Sequence, residues 1–333
     1  MRKLLSTLVL CLSAWSLTAS AADTIEIGYM PIIPVSQAFL TLEDERLARI
    51  GIADPELIQF QNGPAMVQAL LAGQLDIAYL GIGPAMVARA KGADIKVVAS
   101  NIVEQISLVA LGELAPYFAS GDPATAFRRF AADKGRKPVI ATFPTGSVPE
   151  TVLQYWLSKQ LNIDPSQVEI IHQGAAQIQQ SLLTGAVDGA AILEPVVSIS
   201  LDRLPDARVV AAGSQMFPHQ PGAVLVVREA LINDAPDTVQ ALVRVHAEVS
   251  RLLREQPEQA VVAVQRYVGG GRLPAAIVQQ ALTNASPNFV DDPRRIIEGT
   301  RAMRDFQAEI GTLKADVDLE QLFDTRFYQS LTP

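Results

Sequence analysis

Apolar and polar positions along this chain fall into short runs, and one run occurs twice. Leu70–Pro84 reads LLAGQLDIAYLGIGP and returns as LLTGAVDGAAILEP over Leu182–Pro195. An offset of 112 matches Leu70-Leu71 to Leu182-Leu183, Gly73 to Gly185, Asp76 to Asp188, Ala78 to Ala190 and Leu80 to Ile192. Each copy reads as a helix ending on leucines, a glycine suited to the left-handed C-cap, and a short buried strand. Each strand opens into a loop ending in proline. Any parallel sheet contains helix–glycine–strand units. So many matches at one offset predict more: two similar αβ lobes, each with a loop at the C-terminal end of a strand, where open α/β sheets hold ligands.

The flanking pattern extends both copies. Thr24–Tyr29 alternates and is β-branched, predicting the first strand. Ser36–Ile50 reads as a helix closed by Gly51, with its EDER cluster on a solvated face. Leu57–Phe60 is a strand, Ala65–Leu71 and Pro84–Lys91 are helices, and Ile95–Ala99 and Ser107–Leu111 are strands. The order then recurs: strand Pro138–Thr142, helix Val148–Leu161, strand Val168–His172, helix Gly174–Leu183, the second copy, strand Arg208–Ala212. After the apolar strand Ala223–Val227 the pattern turns helical, over Pro236–Arg254, Pro257–Tyr267, Pro274–Leu282 and Pro293–Ile310. A tail of that size has to cover a sheet.

The 333 residues exceed what one core comfortably serves, which agrees with two lobes. Hydrophobic residues make up 49% and charged ones 19%, so disorder is not expected. Residues 1–21 read as a cleaved secretory signal: Arg2 and Lys3, an apolar run Leu4–Leu17, and the A-x-A site Ala19-Ser20-Ala21. That run is too short for a membrane span. Cys11, the single cysteine, lies inside it, so the mature chain can form no disulfide, thiolate zinc site or cysteine nucleophile. Without Arg2 and Lys3, 25 basic residues face 35 acidic ones, a net charge of −10. Nucleic-acid and anionic-membrane partners are therefore disfavoured.

Thr145-Gly146-Ser147 opens a helix. Free N–H groups, the positive dipole end and two hydroxyls converge there, which suits an oxyanion; a plain N-cap is the other reading. Asn62-Gly63 opens a helix in the same way, and Gly81-Ile82-Gly83 lets backbone approach a ligand closely. Met30 and Pro31 follow the first strand, where a pocket wall would be. His172, His219 and His246 share no metal spacing; His219 is a candidate for facing the cleft, and His246 reads as packing or surface. Gly146-Ser147 lacks the G-x-S-x-G elbow, and Gly269-Gly270-Gly271 lacks the lysine of a P-loop.

In this order, IEIGY (Ile25–Tyr29), FQNGPAMVQALLAGQLDIAYLGIGPAMVARAKG (Phe60–Gly92), PTGSVPETVLQYWL (Pro144–Leu157), the second repeat copy and VLVVREAL (Val224–Leu231) resemble the periplasmic substrate-binding proteins of nitrate, sulfonate and taurine ABC importers, the taurine binders most. The resemblance implies an α/β fold, a two-lobe clamshell of the type II periplasmic-binding-protein class with a doubly wound sheet in each lobe. It implies lobe 1 from residues 22–104 plus 222–333, lobe 2 from 105–221, and hinge closure on a ligand. It further implies a monomer in the periplasm that delivers a small anionic solute of sulfonate type, such as an alkanesulfonate or taurine-like compound, to an inner-membrane ABC permease. No cofactor and no catalysis are implied.

Two positions depart from that pattern. Leu193-Glu194-Pro195 lacks the tryptophan that sulfonate and taurine binders tend to carry before the proline. Gly222-Ala223-Val224 lacks an aspartate that the taurine binders place before the strand; Glu194 is a candidate replacement charge or hydrogen-bonding group. The expected ligand-binding set is Met30, Pro31, Asn62, Gly63, Gly81, Ile82, Gly83, Gln105, Thr145, Gly146, Ser147, Gln173, Glu194 and His219, with no metal ligand. Alternatives are an aromatic carboxylate or sulfonate, nitrate or a pyrimidine as the ligand, or a clamshell enzyme of pyrimidine synthesis. That enzyme needs a cysteine-rich motif that the mature chain lacks. A regulator's sensor domain would need a DNA-binding helix-turn-helix where the signal stands.

Overall fold

The computed structural model describes residues 24–331 except Asp44 and Ser120. The expected signal, its cleavage site and Cys11 lie outside the described residues. Ten strands build two mixed five-stranded sheets: β1 (Glu26–Tyr29), β2 (Glu56–Gln59), β3 (Ile77–Gly81), β4 (Ile95–Ser100), β5 (Ser107–Ala110), β6 (Val139–Thr142), β7 (Glu169–His172), β8 (Gly189–Ile192), β9 (Arg208–Ala211) and β10 (Ala223–Arg228). The first sheet runs β2-β1-β3-β10-β4 and the second β7-β6-β8-β5-β9. In each sheet the fourth strand is antiparallel to its neighbours. Inner strands β3, β8 and β10 are apolar nearly throughout and buried, whereas edge strands β2 and β7 keep polar, exposed ends. That is the division expected when helices cover both faces of a sheet.

The helices that position the site are α1 (Ser36–Leu42), α2 (Gly63–Leu71), α3 (Ile82–Ala90), α4 (Pro123–Lys134), α5 (Val148–Tyr155), α6 (Ala175–Leu183), α7 (Val196–Arg203), α8 (Pro236–Glu255), α9 (Val261–Tyr267), α10 (Ala275–Ala285) and α11 (Ile297–Glu309). The repeat is a structural repeat: α2 and β3 recur as α6 and β8. Gly73 and Gly185 take left-handed φ values of 70° and 68° after their helices, as a C-cap requires. The repeated aspartates act as ties. Asp76 Oδ2 accepts the Glu26 N–H at 3.0 Å and Asp188 Oδ2 accepts the Val139 N–H at 2.8 Å, each fixing the start of a neighbouring strand. Arg136 adds a two-pronged contact to Asp188 at 2.6 and 2.8 Å.

Two expectations need correction. Ser36–Ile50 is not one helix: α1 stops at Leu42, and a short turn, Arg46–Arg49, starts after Glu45 at φ 55°. The break turns Glu43 out of a merely solvated role, to pair with Arg266 and to accept the Tyr267 hydroxyl at 3.2 Å. Gly81-Ile82-Gly83 is not an open loop, because α3 already begins at Ile82.

The chain passes between the sheets twice, and the two passages pair with each other. Gly222 N–H donates to Ile102 O at 2.9 Å and Glu104 N–H to Gln220 O at 3.0 Å. Glu104 and His219 both adopt left-handed backbone, φ 48° and 58°, and the His219 N–H donates to Glu104 Oε1 at 2.7 Å. A third segment lines this ribbon, with Val103 N–H on Asn288 O at 2.9 Å.

α8 packs its apolar face on α1. His246, fully buried there, contacts Ser100 O through Nε2 at 2.7 Å. Burial pushes its pKa down to about 4. A histidine held neutral in the fold stabilises above its unfolded pKa of about 6.5, and that contribution is lost as pH falls from there towards about 4. His246→Gln keeps a donor for Ser100 O and removes the titration. Its melting temperature is expected to fall less than the wild type's between pH 7 and pH 4.5 in parallel thermal scans.

Candidate functional site: a cavity between the two sheets

The C-terminal edges of the parallel strands in both sheets face one another. Between them lies a small cavity of about 30 Å³. Met30, Ile32, Gly63, Gly81, Pro84 and Ala223 line it from the first sheet's side; Gln105, Phe143, Ser147, Val148, Pro149 and Leu193 line it from the second's. The topology dictates this set. Met30 and Ile32 follow β1, Gly81 ends β3, Phe143 follows β6, Leu193 follows β8, and Gln105 and Ala223 stand where the antiparallel strands β5 and β10 begin. The walls are apolar, and no charged side chain is among them.

Helices α2, α3 and α5 all point their N-termini at the cavity, and each carries a proline in its first turn or next to it. Their positive dipole ends favour negative ligand charge. At α5, however, the protein supplies its own acid. Ser147 caps the helix by accepting the Glu150 N–H at 3.4 Å, and Glu150 Oε2 accepts the Gly146 N–H at 3.3 Å. Ser147 and Glu150 have the S-x-x-E spacing of a capping box, but the Ser147 N–H donates to Pro144 O at 3.1 Å and Glu150 takes the preceding Gly146 N–H instead. Glu150 is buried, and desolvation raises its pKa, with the Gly146 N–H and Gln154 opposing the rise.

Gln105 presents the other polar surface. Its side-chain oxygen is buried and has no hydrogen-bond donor among the described residues. The carboxamide lies over Gly222: a Cβ there would come within 2.8 Å of Gln105 Cδ. Gly222 is thus the floor beneath Gln105.

Of the expected ligand residues, the structure brings Met30, Gly63, Gly81, Gln105 and Ser147 to the cavity wall. The others lie elsewhere, each with its own contacts where these are resolved. Asn62 caps α2 by accepting the Ala65 N–H at 2.9 Å. Ile82 and Gly83 are in the first turn of α3, and Pro31 is beside the wall but not in it. Thr145 and Gly146 line a separate groove with Lys91 and Thr312. Gln173 accepts the Ser181 hydroxyl at 2.9 Å. His219 is exposed on the ribbon between the sheets.

Glu194 is buried and turned from the cavity: its oxygens accept Ser198 N–H at 3.0 Å, Ser198 Oγ at 2.9 Å and Asn284 Nδ2 at 2.9 Å. Burial raises its pKa, and the Asn284 and Ser198 donors oppose the rise. The wall residues Phe143, Val148, Pro149 and Pro84 had no polar signature to mark them. Their position directly after strands β6 and β3 was the available signal.

A model of the NMT1-like family matches residues 18–268. A putative binding protein of Brucella abortus is 27% identical over 218 residues, which is 65% of this chain and 62% of that protein. The match thus spans less than two thirds of the relative's length. The putative aliphatic sulfonates-binding protein of Escherichia coli K12 is 24% identical over 234 residues, 70% of this chain and 67% of that one. Among solved structures, the alkanesulfonate-binding protein SsuA from Xanthomonas axonopodis pv. citri, bound to MOPS, superposes with a TM-score of 0.72 at 20% identity, covering 91% of this chain and 98% of that one. The fold is therefore the two-lobe fold of periplasmic binding proteins.

Proposed function

This chain belongs to the NMT1-like family, and from that premise we propose that it is the periplasmic solute-binding component of an ABC importer. It would capture a small organic solute between the lobes and hand it to an inner-membrane permease. The observation that carries this reading is the cavity itself, built in equal parts from the edges of two sheets that share a hinge ribbon. Relatives named for binding sulfonates support the solute class.

The expected solute has an apolar body and a compact acidic head of sulfonate type. Apolar walls match the body and argue against nitrate, which has none. The head would sit at the N-termini of α2 and α3 and at the Ser147 hydroxyl, since Glu150 already takes the Gly146 N–H. The division of residues 22–104 plus 222–333 against 105–221 is part of the same proposal. So is the cleaved signal.

A thermal-shift screen tests it, with alkanesulfonates of increasing chain length, matched carboxylates, nitrate and pyrimidines. An alkanesulfonate at 100 times its dissociation constant is expected to add about 2.7 kcal/mol and to raise the melting temperature visibly. Stabilisation by uncharged analogues alone would remove the acidic head. Silence across the whole panel would leave the receptor reading without support.

A further inference from the structure

Helices α2 and α3 and the loop between β6 and α5 enclose a groove of about 160 Å³. Pro84 lines both this groove and the cavity, so the two are neighbours. A Cβ at Gly146 would meet Val87 Cγ2 at 4.0 Å, so the second sheet's loop lies against the first sheet's α3. The groove therefore takes its lining from both sheets, as the cavity does.

Its less exposed lining is apolar. Pro64 and buried Val67 come from α2, and Pro84 and half-buried Val87 from α3. The rim is polar and exposed, formed by Gln68, Lys91 and Thr145. Among the described residues, nothing bonds to the Gln68 carboxamide, the Lys91 ammonium or the Thr145 hydroxyl. No carboxylate lines the groove. A lysine directly after α3 has an ordinary role too, since a cation suits the negative end of a helix dipole. That role does not account for three unengaged donors around one apolar floor.

We propose that this groove is a second binding subsite, made for an organic anion. The apolar body lies on Val67 and Val87, and the acidic head takes the Lys91 ammonium, the Thr145 hydroxyl and the Gln68 amide. The whole chain carries a net charge of −8, so its average field repels an anion, and Lys91 reverses that field locally. Its part in capture, as an outer station beside the cavity, rests on the receptor reading; the subsite itself does not.

Amide NMR with 1-hexanesulfonate tests it. In wild type the Lys91, Thr145 and Gly146 signals are expected to shift and to saturate. Lys91→Gln should weaken that binding about fivefold, the upper end for an exposed ion pair. Lys91→Arg should restore it, and Lys91→Glu should abolish it. Uncharged 1-hexanol should give no saturating shift at Thr145. In Ala223→Phe, whose cavity is filled, the groove signals should still respond. A lysine that serves only the helix end would lower the melting temperature of Lys91→Gln and leave the midpoint of the titration where it was. That result would overturn the proposal, as would silence of the groove signals or an equal response to 1-hexanol. The Met30 and Leu193 amides report the cavity separately. Saturation there with a silent groove would leave the receptor reading standing and remove this subsite alone.

Discussion

Ala223→Phe is expected to abolish solute capture while leaving the protein folded. Ala223 opens β10, is buried, stands opposite Gly81 in the ladder, and gives the cavity one of its walls with a single methyl group. A benzyl group at that position projects into the space the solute needs. Overpacking a well-filled site costs about 1–3 kcal/mol, which a chain of this size tolerates. Excluding the solute from its contacts costs far more, and a loss of 3 kcal/mol already exceeds a hundredfold in affinity. Titration calorimetry with the compound giving the largest thermal shift checks it, with Ala223→Ser as the variant expected to bind normally. Binding of Ala223→Phe within about threefold of wild type would move the site out of this cavity.

Gly213→Val is expected to produce the largest loss of stability of any single change considered for this chain. A Cβ on Gly213 would lie 2.2 Å from Glu104 O and 2.5 Å from Glu104 C. Those are backbone atoms of the first passage between the sheets, already bound to the second passage, and they cannot rotate aside as a flexible side chain would. A β-branched residue worsens the crowding. The cost should reach or pass about 3 kcal/mol, the upper end for overpacking. Differential scanning calorimetry should show a melting temperature lower by several degrees. Gly213→Ala should show the same direction in smaller measure. A Gly213→Val protein that melts like wild type would mean that the ribbon yields freely there.

Much of this architecture was legible because it depends on local rules. The repeat declared itself through leucines, a glycine and an aspartate at one spacing, and every one of those positions has a structural job. The job of the aspartate was not legible. Asp76 and Asp188 face backbone N–H groups fifty and forty-nine residues away, and no pattern in the string connects Asp188 to Val139. The helix starting at Val148 was readable from Ser147 and Pro149. The S-x-x-E spacing placed Glu150 near the helix start but did not show that it would take the Gly146 N–H, because the Ser147 N–H is already bonded to Pro144 O.

The site divides along the same line. Residues directly after strands, such as Met30, or at strand ends, such as Gly81, could be placed from topology alone. Glu194 and His219 could not. Charge and loop position made both candidates for the cleft, yet Glu194 turns to Asn284, ninety residues later in the chain, and His219 spends its backbone on Glu104. Polar residues near a cavity are drawn equally by solute and by distant protein partners. Tertiary packing decides which one wins: α10 at Glu194, and the paired passages between the sheets at His219.

β10 lies between β3 and β4, although its residues follow the complete second sheet in the chain. The order of synthesis therefore differs from the order of assembly. As the chain emerges from its N-terminus, β3 and β4 have no strand to join them, and both keep unpaired edges. The second sheet, whose strands all fall within residues 107–211, meets all its partners first. Contacts across so long a separation slow folding. The N-terminal third must therefore wait unfinished until residues 223–228 arrive, and a chain cut short before that point leaves the first sheet without its inner strand.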